Sequence, residues 1–178
     1  LGTGVGCGIV VDGKLVEGRH GAAGEIGHLN VFPKYKFQCN CGNIGCLESV
    51  ASATGIRNLY NEIKMTYSGD SILFKSEFPT AKTIIDAAKA QDGIAIEVVD
   101  EASKYIGYAC MILSVTTNPE VIVLGGGVSN AGDFIFDKVR NYFKQYTFSP
   151  VQSAEIVGAE LGNDAGIYGA ARLVISNG

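Results

Sequence analysis

The hydrophobic pattern changes period along the chain. Val5, Ile9, Val10, Val11, Leu15 and Val16 flank Asp12-Gly13, a dipeptide that favours a two-residue turn, so residues 5–18 predict a β-hairpin. Residues 19–38 carry no helical stripe and read as loop with a short strand. From residue 51 the spacing turns helical. Ile56, Leu59, Tyr60 and Ile63 stand at i, i+3, i+4 and i+7, with Thr54 as the expected N-cap. A polar connection over 66–79 ends at Pro79. Thr80 then caps a helix to about residue 91 with Ile84, Ile85 and Ala88 inward. A longer helix is predicted over 93–117. It stops at Asn118-Pro119, because the residue before proline is pushed out of the helical region.

Val121, Ile122, Val123 and Leu124 form a continuous apolar run, which predicts a strand buried on both faces. Gly125, Gly126 and Gly127 follow at once, then a helix over about 132–146, a strand at 155–157 and a last helix over about 163–175. A hairpin followed by strands alternating with helices predicts an α/β domain with a mixed sheet and flanking helices. Strand, glycines, helix is also the place where such sheets bind ligands, beyond the carboxyl ends of the strands.

Composition narrows the function classes. Of the 178 residues, 47% are hydrophobic and 18% charged, enough for a sizeable core and against disorder. A net charge of −4 argues against a phosphate-backbone binder. No apolar run reaches the length of a membrane span. Three of the five cysteines crowd into positions 39–46, which fits thiols binding metal in a cytoplasmic protein better than a disulfide scaffold. The start, Leu1-Gly2-Thr3-Gly4 without Met, predicts a piece whose upstream half lies elsewhere.

The candidate chemistry concentrates between Glu25 and Glu48. The chain reads Glu25-Ile26-Gly27-His28, then Cys39-Asn40-Cys41-Gly42-Asn43-Ile44-Gly45-Cys46-Leu47-Glu48. Zinc takes four ligands, usually thiolate sulfur and imidazole nitrogen, in a tetrahedron. Cys39, Cys41, Cys46 and His28 can supply them, and four protein ligands leave no open position, so the ion would be structural. The alternative is a set of free buried thiols or a redox pair. Cys7 and Cys110 read as small core residues. Glu25 and Glu48 bracket the cluster. Both carboxylates can face one pocket and accept hydrogen bonds from a polyol or sugar, while the spare ring nitrogen of His28 donates to a hydroxyl. Solvated surface acids are the alternative. Gly2, Gly4, Gly6 and Gly8 alternate in the expected first strand, so that it can let a ligand or another backbone approach, and with Thr3 it offers N–H groups and a hydroxyl at phosphate height. A glycine-rich bend with no ligand is the bland reading. Together with Gly125, Gly126 and Gly127 they suggest two walls of a nucleotide cleft. Neither wall brings a lysine, which leaves Mg²⁺ to balance the phosphates.

The stretches Leu1–Gly6, Glu25–His28, Cys39–Glu48 and Leu124–Val128 together resemble the ROK family (repressors, open reading frames and sugar kinases) across essentially the whole chain. The run from Leu47 to Ile56 is most similar to the bacterial glucokinases of that family. The resemblance implies one lobe of an actin-like, ribonuclease-H-like two-lobe kinase. Residues 1–178 would be its single carboxy-terminal lobe, with the amino-terminal lobe absent from this chain. It implies ATP-dependent phosphorylation of a hexose, most of all glucose to glucose 6-phosphate. Glu25, His28 and Glu48 would bind sugar, and His28, Cys39, Cys41 and Cys46 would hold zinc. Gly2, Thr3, Gly4 and Gly6 would meet the phosphates, and Gly125, Gly126 and Gly127 would lie by the nucleotide. A homodimer is implied as well. The family's Asp-Leu-Gly-Gly-Thr loop and its general-base Asp, expected upstream of Leu1, are absent, so the chain carries no catalytic residue of its own and is expected to be inactive alone. Cys7 stands where a glycine is common. The alternatives within the resemblance are a sugar-sensing transcriptional repressor, or a kinase for fructose, mannose or an N-acetylhexosamine.

Overall fold

The structure is a computed structural model and describes residues 1–176. Its spine is helix α4, Gly93–Thr117, the longest element. Ile94, Val98, Val99, Ala102, Tyr105, Ile106, Ala109 and Cys110 along it are all buried. Helices α2 (Ala53–Lys64) and α3 (Ala81–Lys89) pack on it from one direction, and α5 (Asp133–Tyr146) packs along it from another. The predicted inward residues of α2 (Ile56, Leu59, Tyr60, Ile63) and of α3 (Ile84, Ile85, Ala88) are all buried in this core.

Local chemistry sets the helix ends. Asp92 caps α4 by accepting from the Ala95 N–H at 3.2 Å, and its other oxygen accepts from the Ile72 N–H at 2.9 Å, tying the 66–79 connection to the helix start. At the far end Asn118 adopts left-handed backbone (φ 45°) and donates to the Ser114 carbonyl at 2.9 Å, with Pro119 next. Thr80 caps α3 as expected, accepting from the Thr83 N–H at 3.1 Å. The cap of α2 is Ser52, not Thr54. A one-turn helix α1, Glu48–Ala51, abuts α2, and Ser52 takes the extended backbone between them while accepting from the Gly55 N–H at 3.0 Å.

Strands of both senses occur, in separate ladders. Strands β1 (Val10–Val11) and β2 (Lys14–Leu15) pair antiparallel around Asp12 and Gly13, both at positive φ as a tight hairpin requires. Strands β3 (Val121–Leu124) and β4 (Glu155–Gly158) pair parallel. The hairpin is shorter than predicted. Residues 2–8 form no strand: the Val5 N–H and the Gly2 and Thr3 carbonyls are taken by partners described below. Strand β3 is buried on one face only: Ile122 and Leu124 point inward, whereas Val121 and Val123 are 43% and 56% exposed. Helix α6, Ala165–Ser176, ends the described chain. No helix among the described residues is long and apolar enough to cross a membrane.

Gly107 shows how close α4 and α5 lie. A Cβ there would sit 2.7 Å from the Tyr142 Cβ and 3.0 Å from both the Phe143 nitrogen and the Val139 carbonyl oxygen. Glycine inside a helix costs about 1 kcal/mol relative to alanine, so intrinsic preference favours replacing it. Overpacking works the other way, by about 1–3 kcal/mol. Backbone atoms of α5 cannot give way as a flexible side chain can, so packing decides. Gly107→Ala is expected to lower the denaturant midpoint, and a raised midpoint would mean the helices separate freely.

Candidate functional site

The cysteine loop folds by short-range backbone bonds. The Cys39 N–H donates to the Asn43 carbonyl at 2.8 Å and the Gly42 N–H to the Cys39 carbonyl at 2.9 Å. Gly42 and Gly45 both take positive φ (92° and 90°), which lets the chain reverse twice within a few residues. Bridges Gln38–Ile44 and Asn30–Cys46 flank the turn. The Leu47 N–H donates to the Leu29 carbonyl at 2.9 Å, fastening the loop to the segment after His28. His28 ends a single 3-10 turn, Ile26–His28, that Glu25 precedes.

This folding brings His28, Cys39, Cys41 and Cys46 together, with their ligand atoms all within 4.8 Å of one another. Cys39 Sγ lies 3.7 Å from His28 Nδ1, and Cys41 Sγ lies 3.6 Å from Cys46 Sγ. Zn–S bonds of about 2.3 Å and a Zn–N bond of about 2.0–2.1 Å place tetrahedral ligands about 3.5–3.8 Å apart. Two edges of the cluster therefore already have zinc dimensions, and the longest needs a contraction of about 1 Å. Cys39 and Cys46 are buried, while His28 and Cys41 are exposed. The Cys41 thiol is pulled down to about 7, first by hydrogen bonding from the Asn43 backbone. The Cys46 thiol is pushed up to about 12, first by burial and then by its thiol neighbours. A bound cation would lower all of these together, since a coordinating thiol is deprotonated outright.

The two carboxylates differ. Glu48 opens α1 and is half-buried. Its Oε2 accepts from the Val5 N–H at 2.9 Å, and its Oε1 accepts from the Cys39 thiol at 3.9 Å. Glu25 is exposed and caps nothing with its side chain. His20 is exposed too.

The two glycine stretches meet. The Leu1 nitrogen donates to the Gly125 carbonyl at 2.7 Å, and the Val128 N–H donates to the Leu1 carbonyl at 3.0 Å. The Ala53 N–H donates to the Gly2 carbonyl at 2.8 Å, and the Thr54 hydroxyl to the Thr3 carbonyl at 3.4 Å. Beside this junction lies a cleft of about 550 Å³ lined by Gly2, Thr3, Gly127, Asn130 and Ala131, with Thr80, Lys82 and Lys89 on its other side. Of the glycines singled out in the sequence, Gly2 and Gly127 line this cleft with Thr3. Gly6 and Gly125 instead line an apolar cavity of about 390 Å³ against α4 and β3, which Cys7 and Cys110 share. Gly4 packs on Glu48, and Gly126 on Leu1. Glu25, His28 and Glu48 line neither space. Burial pushes the Cys110 thiol up to about 12, as suits a core residue, whereas Cys7 is half-buried. Lys82 and Lys89 escaped the sequence reading. Their spacing of seven puts both on one face of α3, which was the available signal.

Comparison with known proteins gives these positions a frame. The model of the ROK family matches residues 1–177. A glucokinase from Halalkalibacterium halodurans is 45% identical over 178 residues, covering 98% of this chain and 54% of the relative, so the chain spans about half that protein's length. A solved ROK family glucokinase from Streptomyces griseus, in complex with glucose and AMPPNP, superposes with a TM-score of 0.85 at 30% identity, over 97% of this chain and 58% of that one. A solved ROK family transcriptional regulator superposes at 0.77 with 32% identity, over 89% of this chain and 40% of that one. The α/β fold is thus the actin-like fold of these kinases. With the family model matching from the first glycine stretch to the last helix, the chain belongs to the ROK family.

Proposed function

We propose that this chain supplies the sugar-orienting and part of the nucleotide-binding surface of an ATP-dependent hexose kinase, with glucose as the substrate. The observation that carries the reading is the placement of Glu48: two residues beyond four converging His and Cys ligand atoms, and one hydrogen bond away from the glycine-rich stretch. Glucokinases among the relatives support the substrate. In this reading His28, Cys39, Cys41 and Cys46 hold zinc, which supplies a rigid tie and no open coordination position. As a metal ligand Cys39 has no proton to donate, so Glu48 Oε1 becomes free to accept from a sugar hydroxyl. The outer nitrogen of His28 and the exposed carboxylate of Glu25 supply further polar contacts.

The N–H groups of Thr3 and Gly127 are the backbone donors offered to the phosphates in the 550 Å³ cleft, which Lys89 and the ion-paired Lys82 and Asp86 also line. The sugar's 6-hydroxyl would attack the γ-phosphorus in line, giving its proton to an aspartate outside this chain, as the bond from the γ-phosphorus to the bridging oxygen breaks and ADP leaves; Mg²⁺ would accompany ATP. A homodimer and a cytoplasmic location belong to the same proposal, the latter because thiol ligands need a reducing compartment.

A second reading has a specific finding behind it, the likeness to a ROK transcriptional regulator. A panel of glucose, fructose, mannose and N-acetylglucosamine offered with ATP to the full-length protein separates the two. The expected result is phosphorylation with kcat/KM for glucose about tenfold or more above the others, the discrimination available to a site that hydrogen-bonds hydroxyls. Absence of phosphorylation together with sugar-sensitive DNA binding would favour the regulator.

The metal has its own measurement. Protein purified without added metal is expected to carry about one zinc per chain by elemental analysis. Cys41→Ser should lose the ion and weaken glucose binding about tenfold or more. Undiminished glucose affinity in a metal-free variant would break the connection between loop and sugar.

A further inference from the structure

Glu48 sits where three pieces of backbone converge. Its Oε2 holds the Val5 N–H at 2.9 Å, across 43 residues of sequence. Gly4 lies so close that a Cβ there would overlap the Glu48 carboxylate, with the carboxyl carbon only 3.1 Å away. On the other side of Val5, the Gly27 backbone presses on the Val5 carbonyl, leaving room for no side chain at Gly27. Val5 itself is buried. The residue is therefore bonded at its N–H by Glu48 and packed at its C=O against the Glu25–His28 turn. Both contacts belong to the segment that carries the metal cluster. From Val5 the chain runs back through Thr3 and Gly2, which line the 550 Å³ cleft, to Leu1, bonded to the 125–128 loop.

We propose that Glu48 is a positioning residue that latches the glycine-rich stretch to the cysteine loop, so that order in the loop and ligand affinity in the cleft are coupled. The physical argument is one of degrees of freedom. Residues 2–8 have no ladder to hold them, and four of the seven are glycines. A charge-assisted hydrogen bond from a half-buried carboxylate is the strongest polar restraint on this stretch. The carboxylate is itself placed by the start of α1, two residues after Cys46. Loosening the loop moves the acceptor, and Thr3 and Gly2 move with it. That the cleft takes a nucleotide rests on the proposed function; the latch does not.

The test uses the full-length protein and two independent readouts: hydrogen exchange at the Val5 amide, and the affinity for ATP without sugar. Glu48→Ala should raise Val5 exchange about tenfold or more, the effect of losing a charge-assisted hydrogen bond. Glu48→Gln keeps an oxygen acceptor and should restore most of the protection. Gly4→Ala displaces the carboxylate without removing it, so it should raise Val5 exchange and weaken ATP binding severalfold while the metal content stays at the wild-type level. Chelation of the metal should raise Val5 exchange in the wild type. Unchanged Val5 exchange in Glu48→Ala overturns the latch. Raised exchange with unaltered ATP affinity overturns the coupling. A wild type that binds no ATP yet shows the exchange pattern removes the kinase reading and leaves the latch standing.

Discussion

Helix α4 has to be hidden on several sides, and that requirement organises the molecule. Its apolar residues go round the helix instead of forming one stripe, and such a helix is stable only when covered. Each fully buried Val, Leu or Ile contributes about 1.5–3 kcal/mol, whereas an exposed pair such as Lys82–Asp86 contributes about 0–1. The packing of α2, α3 and α5 on α4 therefore outweighs surface electrostatics in choosing the fold. The cleft follows from that choice. Covering α4 brings the first residues of α2 and α3 near each other, and the loop after β3 closes the space between them.

The cysteine loop is held by different means. Cys46, Leu47, Val50 and Ala51 reach the core, but residues 40–44 are exposed and rely on turn hydrogen bonds. In the proposed reading a tetrahedral cross-link would give order to a loop with so little apolar surface to bury, because metal binding free energy becomes folding free energy. The four proposed ligands are split in the same way: Cys39 and Cys46 are buried, and His28 and Cys41 face outward.

What was legible in the sequence depended on the range of the interaction. The extent of helix α4 was readable, because its stop at Asn118-Pro119 is a local signal; Asp92, which caps its start, was a local signal left unread. The tetrad was readable because ligand type and spacing are also local. The start of α2 was placed at Thr54 because a one-turn helix such as α1 has no periodicity to reveal itself, and Ser52 and Thr54 are both residue types that cap helices. Alternating glycines in residues 2–8 imitated a strand, yet their partners are Glu48 and Ala53, which no local pattern announces. The apolar run of β3 suggested two covered faces, but helices cover only the side of Ile122 and Leu124.

The glycine-rich stretch illustrates a more general point about such segments. Glycine was read there as room for a ligand or for another backbone. At Gly4 the space is already filled, by the carboxylate of Glu48, and at Gly27 by the carbonyl of Val5. Glycine at these positions lets protein approach protein, while Gly2 and Thr3 remain at the cleft. A phosphate-facing backbone needs both kinds of position. Its N–H groups must be unobstructed, and something else must keep a chain without side chains from wandering. A carboxylate serves the second need well, since it can accept from an amide while its other oxygen stays available for a thiol or a hydroxyl. A residue that reads in sequence as one more candidate sugar ligand is, in three dimensions, also the acceptor for the Val5 N–H of the glycine-rich stretch.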